Sequence, residues 1–230
     1  MIDISFMLGL THMKKHSPAK WIEEKEKKLG MQEFYLRVYT ILVVIALLAF
    51  IVISAFAGHK EALYYDAIFV PVVIITSLFQ KHLRIPGTIF VMFTLLFLLN
   101  AAGGGLMIGG VRLYDLFFGP VRYDMIVHFY GSFVATFLVY NLIYPYINTT
   151  DRWHDPYLRL ILILMAAGLG TLVETVEFSA VVFLHADGVG DYFNNAFDLV
   201  VNLLGAITGS IPVMAFHHRR SEVREITKSK

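Results

Sequence analysis

Six long apolar runs constrain the fold of this chain more than any other feature. A helix that spans the hydrocarbon layer needs roughly 20 mostly apolar residues, because it rises 1.5 Å per residue through about 30 Å. Charged residues make up only 16% of the sequence, whereas soluble domains average about 25%. The sequence therefore predicts an all-α, polytopic membrane bundle of about six transmembrane helices. The predicted spans are Tyr35–Gly58, Leu63–Phe79, Thr88–Gly110, Asp124–Ile147, Leu158–Leu184 and Phe197–Phe216.

The basic residues predict how this bundle is oriented. With six spans, one side of the membrane receives both termini and the loops near Lys81 and Arg152, and that side holds 16 of the 19 Lys and Arg residues. The other side holds Lys60, Arg112 and Arg122. Because Lys and Arg concentrate in cytoplasmic loops, we expect a multi-pass protein of the cell (inner) membrane with cytoplasmic N- and C-termini. A soluble helical protein would not produce this bias.

The charge distribution also divides the chain into three expected sections. Residues 1–34 form a cytoplasmic N-terminal segment, residues 35–218 the six-helix membrane domain, and residues 219–230 a basic cytoplasmic tail. The chain has no Cys, which excludes disulfides and thiolate metal sites. Membrane lipids are the expected partners, and no nucleic acid is expected.

Candidate ligands for a cation lie within the predicted spans, where polar residues are costly and usually functional. Asp124 and His128 are four residues apart and share one face of the fourth helix. An Asp and a neutral His at this spacing suit a divalent metal, or a carboxylate that orients a general base. The alternative is a helix N-cap Asp beside a His that only packs.

The fifth predicted helix carries two acids on one face, Glu174 and Glu177. Two adjacent carboxylates in a low dielectric cannot both stay ionised without a cation or a shared proton. A metal, a proton relay or a cationic ligand would each satisfy them. Protonated acids that only bond to neighbouring helices are the structural alternative.

The sixth predicted helix adds Asp198 and Asn202, four residues apart on one face. Oxygen ligands of this kind suit hard cations. Because short connections make consecutive helices neighbours, we expect Asp124, His128, Glu174, Glu177, Asp198 and Asn202 to line one cavity near the outer leaflet. Tyr123 and Asp191 are expected to bind substrate at its mouth. The expected cofactor is a divalent metal ion, Mg, Mn, Ca or Zn.

At these residues the sequence resembles the YjdF-like family of inner-membrane proteins and, more distantly, the VanZ-like proteins. The resemblance covers roughly residues 123–209 and implies a polytopic inner-membrane protein with no established reaction. Asn194 stands where that pattern would place another Asp, which weakens a metal site by one charge. The resemblance rests on Tyr123-Asp124 with His128-Phe129 and Gly131, on Glu174 with Glu177-Phe178, and on Gly190-Asp191 with Asp198, Gly205 and Gly209.

These residues favour an enzyme, with two alternatives. A cation held by the acids would activate water or a phosphate on a lipid or lipid-linked substrate, with His128 or one Glu as general base. A cation or proton transporter would use the same carboxylates, but Asn141 and Thr76 alone do not form a polar path to the cytoplasm. An accessory membrane subunit that docks a partner helix is the third possibility. The oligomeric state does not follow from the sequence.

Overall fold

The computed structural model describes residues 18–147, 154–185 and 192–228. Each of its six long helices contains a stretch long and apolar enough to cross a membrane, which confirms the predicted helical membrane bundle. Residues 42–230 form one compact unit, distinct from residues 1–41, and the features described below belong to the former. The helices are α1 (Pro18–Ala57), α2 (Lys60–Phe79), α3 (Gly87–Gly105), α4 (Tyr123–Ile143), α5 (Asp155–Leu184) and α6 (Tyr192–Lys228).

The connection between α3 and α4 differs from the prediction. The third span was expected to remain helical to Gly110, but α3 ends at Gly105 and two small antiparallel hairpins follow. Gly109 and Gly110 both have positive φ, 61° and 84°. Two consecutive residues of this kind form the tight turn that a two-residue hairpin needs, and they cannot continue a helix. The hairpins pair β1 (Met107–Ile108) with β2 (Val111–Arg112) and β3 (Phe117–Phe118) with β4 (Val121–Arg122).

The two hairpins are copies of one sequence unit. Residues 106–115 read Leu-Met-Ile-Gly-Gly-Val-Arg-Leu-Tyr-Asp, and residues 116–124 read Leu-Phe-Phe-Gly-Pro-Val-Arg-Tyr-Asp. Each copy closes on its first Leu: the N–H of Leu113 donates to Leu106 O and that of Tyr123 to Leu116 O, both at 2.9 Å. The second copy continues into the first turn of α4, so its Tyr123-Asp124 pair lies within the helical bundle. We call this end of the bundle the hairpin end.

Helix α4 packs closely against α6 because α6 has glycines at the contact. A Cβ on Gly205 would lie 2.2 Å from Phe129 O, and one on Gly209 would lie 2.8 Å from Phe133 O. A side chain at either position would therefore push the two backbones apart. Small residues spaced four apart commonly allow two membrane helices to approach each other closely. At the other end of the bundle, an apolar core around Leu162 and Val213 joins α4, α5 and α6.

Candidate functional site: a buried carboxylate–histidine cluster

His128 is the centre of a group of acids at the hairpin end. Its side chain is 7% exposed. Its Nε2 lies 3.4 Å from Asp124 Oδ1, one turn earlier on α4, and 3.7 Å from Glu177 Oε1 on α5. Its Nδ1 lies 3.1 Å from Glu174 Oε1, also on α5. Both ring nitrogens therefore face carboxylates.

Helix α6 contributes residues to this group in addition to those from α4 and α5. Asp198 is fully buried, and its Oδ2 accepts a hydrogen bond of 2.8 Å from Asn194 Nδ2. Asn202 Nδ2 lies 3.4 Å from His128 Nδ1, and its Oδ1 accepts from Ser132 Oγ at 2.9 Å. The structure thus brings together all six residues expected to line the cavity. We define the acidic cluster as Asp124, His128, Glu174, Glu177 and Asp198.

Of the two residues expected at the cavity mouth, the structure describes Tyr123. The Tyr123 hydroxyl donates to Leu99 O at 3.0 Å, so it ties α4 to α3, and its role in substrate binding stays a prediction. Asp191 lies outside the described residues. Arg122, which the sequence analysis did not single out, donates to the Asp124 carboxylate. Asn194, which stands where the family pattern would place an Asp, donates to Asp198 Oδ2 and its Nδ2 lies 3.5 Å from Asp124 Oδ2.

Three carboxylate oxygens of the cluster are buried without a hydrogen-bond partner: both oxygens of Glu174 and Oδ1 of Asp198. The contact of Glu174 with His128 is close, but it is not aligned as a hydrogen bond. Buried polar atoms are rarely left without a partner, since each costs on the order of 1–3 kcal/mol. A cation or a proton at this position would relieve that cost.

The spacing of the ligand atoms fits a metal ion. Two triads, Asp124–His128–Asp198 and His128–Glu174–Glu177, each offer ligand atoms that all lie within 4.8 Å of one another. Four ligands at about 2.0 Å around a tetrahedral ion would be about 3.3 Å apart. One separation in each triad is close to this value: His128 Nε2 lies 3.4 Å from Asp124 Oδ1 in the first and 3.7 Å from Glu177 Oε1 in the second. The donor set, one imidazole and several carboxylates, suits Zn²⁺, Mn²⁺ or Mg²⁺.

Tyr114 of the first hairpin is a neighbour of the acidic cluster that sequence reasoning missed. Its ring lies against α3, where a Cβ on Gly103 would come within 2.7 Å of it, and its centroid is 6.1 Å from that of Tyr123. Burial, then the negative charges of Asp124 and Glu177, raise the pKa of Tyr114 well above its usual value. Its hydroxyl therefore stays protonated and can act as a hydrogen-bond donor. The repeated Tyr-Asp pair was the signal that could have identified it.

Comparison with known proteins identifies a family but no activity. The model of a family described as predicted membrane proteins (DUF2238) matches residues 39–220. The chain belongs to the DUF2238 family. This agrees with the resemblance to the YjdF-like group, whereas the likeness to VanZ-like proteins is not confirmed. Neither a curated protein nor a solved structure matches the chain.

A buried polar seam continues from the acidic cluster of this DUF2238 protein along the contact of α4 with α6. Ser132, Thr136 and Tyr140 follow His128 at intervals of four, so they share its face of α4. Thr136 Oγ1 donates to Ser132 O at 2.9 Å and to Ala206 O of α6 at 3.4 Å.

The seam ends near the other end of the bundle. There the Tyr140 hydroxyl lies 3.2 Å from His217 Nδ1, with Val213 and Met214 packed in the same apolar core. Asn141 and Thr76 were expected not to form a polar path by themselves, and the seam is a separate row of polar side chains on α4 and α6. The seam was missed because Ser and Thr at helical spacing are common in membrane helices and attract little notice.

Proposed function

We propose that this protein holds a divalent cation in the acidic cluster and uses it as a hydrolase or transferase on a lipid or lipid-linked substrate. The observation that carries the proposal is the convergence of four carboxylates on His128 inside an apolar bundle, with three carboxylate oxygens that have no hydrogen-bond partner. Such groups within a membrane are costly and mark functional sites.

The charge balance of the cluster supports a cation with two charges. Four carboxylates face one fixed positive group, the Arg122 guanidinium, because a His128 that binds a cation must be neutral. Three negative charges then remain without compensation. Ionised groups are strongly disfavoured in a low dielectric unless they are paired. A divalent cation compensates two of these charges, and it would be coordinated by carboxylate oxygens that have no hydrogen-bond partner.

A cation held here would polarise a phosphate or carbonyl oxygen and lower the pKa of a bound water. With His128 as a ligand of the cation, one of the two Glu residues is suited to accept the proton of that water. Arg122 and the protonated Tyr114 would supply positive and donor groups at the edge of the cluster. This division of roles is that of a metal-assisted hydrolase.

We further propose that the hairpin end faces the outside of the cell membrane, with both termini in the cytoplasm. The support is the excess of Lys and Arg on the side of the termini, 16 of 19 residues. The acidic cluster would then meet substrates of the outer leaflet. A lipid headgroup could reach it laterally, which suits a site enclosed by spanning helices.

Metal analysis of the purified protein tests the proposal. Wild type should contain a divalent metal, and Glu174→Gln should lose most of it. Asp115→Asn is the matched control, because Asp115 is the copy of Asp124 in the first hairpin and pairs with Arg112 outside the cluster. Phosphorus NMR of mixed phospholipid vesicles with the metal-loaded protein then tests phosphoryl release. A folded wild type that binds no divalent ion would exclude the cation centre.

Transport of a cation or proton is the second candidate, because the polar seam from His128 to His217 gives it specific support. In that case the cluster would be a binding site and the seam part of the path. Tyr140→Phe separates the candidates: it should abolish pH-driven flux into vesicles if the seam conducts, and leave metal content and lipid turnover unchanged if the protein is an enzyme.

A further inference from the structure

The two hairpins expose apolar side chains although they lie outside the spanning helices. Phe117 is 65% exposed and Ile108 is 53% exposed. Contiguous exposed apolar surface marks a site of interaction with another protein or with lipid. The exposed set is Met107, Ile108 and Val111 in the first hairpin and Phe117, Phe118 and Val121 in the second.

The connectivity of the chain indicates whether lipid or another protein covers the hairpins. The hairpins occupy residues 106–122, between Gly105, where α3 ends, and Tyr123, where α4 begins. Both neighbours terminate spans, so the segment that contains the two hairpins begins and ends at the membrane surface. The bonds from Leu113 N to Leu106 O and from Tyr123 N to Leu116 O fold each copy back onto its base. The apolar side chains are therefore held near the membrane surface, where aromatic and apolar groups are stable.

The second hairpin is also joined to the acidic cluster. Its last residue, Arg122, bonds the Asp124 carboxylate. The ring of Phe118 lies 6.4 Å from that of Tyr123, centroid to centroid, and Tyr123 contacts Tyr114 in turn. A molecule in contact with Phe118 is thus separated from the first turn of α4 by the Phe118 ring alone.

We propose that the two hairpins insert into the boundary between lipid headgroups and acyl chains, and so hold bilayer lipid at the rim of the acidic cluster. The ligand of the site is then a membrane amphiphile, with its chains against Phe117 and Phe118 and its headgroup toward Asp124, and not a water-soluble molecule. The identity of the ligand rests on the function proposed above. The position of the hairpins does not depend on it.

Depth-dependent quenching of tryptophan fluorescence tests the position. Trp21 and Trp153, the two Trp residues of the chain, are replaced by Phe, and Phe118→Trp or Ile108→Trp is added. The protein is reconstituted in phosphatidylcholine vesicles brominated either near the headgroup or near the chain end, and iodide is the aqueous quencher. Leu172→Trp is the deep reference, because Leu172 lies mid-helix in α5 and is 60% exposed.

Both hairpin tryptophans should lose more fluorescence to lipid brominated near the headgroup than to the deep-brominated lipid, and Leu172→Trp should show the reverse order. Stronger quenching by iodide than by either lipid would overturn the proposal, since the hairpins would face water. Protection from all three quenchers would also overturn it, since protein would then cover them. Metal content of the same preparations distinguishes the two proposals. Hairpins in lipid with no bound cation would reject the cation centre and leave the position of the hairpins supported.

Discussion

Gly205→Ala should open the contact between α4 and α6 and so weaken the acidic cluster from a distance. A Cβ at this position would lie 2.2 Å from Phe129 O, and ordinary contact begins at 3.4 Å, so the helices must move apart by about 1.2 Å. The obstacle is a backbone oxygen, which cannot turn away as a flexible side chain can. Overpacking of this kind costs about 1–3 kcal/mol, against a gain of about 1 kcal/mol from the better helix propensity of Ala.

The displacement should affect cation binding more than folding. Asn202 lies three residues before Gly205 on α6, and its contacts with His128 and Ser132 are 3.4 and 2.9 Å long. A shift of about 1 Å breaks contacts of this length, and binding sites tolerate only about 0.5 Å. We therefore expect a net destabilisation of about 0–2 kcal/mol, and a fall in cation affinity of tenfold or more, about 1.4 kcal/mol.

Thermal unfolding in detergent and titration with Mn²⁺ would measure the two effects. Gly168→Ala is the matched control, because a Cβ at Gly168 on α5 meets nothing within 4 Å. It should leave the affinity unchanged and keep or raise the unfolding temperature. If Gly205→Ala behaves like Gly168→Ala in both measurements, then either the close approach of α4 to α6 or its coupling to the cluster is wrong.

Three further predictions follow from individual contacts. Gly170→Ala places a Cβ 2.7 Å from the Asn202 side chain, so it should lower Mn²⁺ affinity in the same titration while the unfolding temperature changes little. Tyr140→Phe removes the contact with His217, so it should cost about 1 kcal/mol of stability in thermal unfolding and leave metal content unchanged. Lowering the pH should release the bound cation before the protein unfolds, because His and carboxylate ligands must be deprotonated to bind. Metal analysis after dialysis across a pH series checks this, and retention at a pH where free carboxylates are protonated would contradict it.

Helical periodicity explains why much of the acidic cluster could be predicted from the sequence. Asp124 with His128 and Glu174 with Glu177 are three or four residues apart, so each pair shares a face in any helix. These faces are expected to meet because charged groups are costly in lipid and are stabilised by facing one another inside the bundle. The atoms that touch, such as His128 Nδ1 with Glu174 Oε1, depend on helix rotation and could not be predicted.

The hairpins could not be predicted from hydropathy, because their apolar residues continue the apolar run of α3. The helix ends at Gly105 because Leu106 is extended, and Gly109 and Gly110 have the positive φ of the hairpin turn. A hydropathy reading detects neither backbone conformation. The internal repeat was visible in the sequence, and aligning Arg112 with Arg122 would have indicated both the duplicated turn and Tyr114. The seam depends on the pairing of α4 with α6, which close approach at Gly205 permits.

Whether His128 ligates a divalent cation is tested most directly by electron paramagnetic resonance of the Mn²⁺-loaded protein. We expect about one tightly bound Mn²⁺ per chain, with hyperfine coupling to an imidazole nitrogen. His128→Ala should lose that coupling, and the Asp115→Asn control should keep it. A spectrum of free Mn²⁺ only, or a nitrogen coupling that persists in His128→Ala, would contradict a cation centre built on His128.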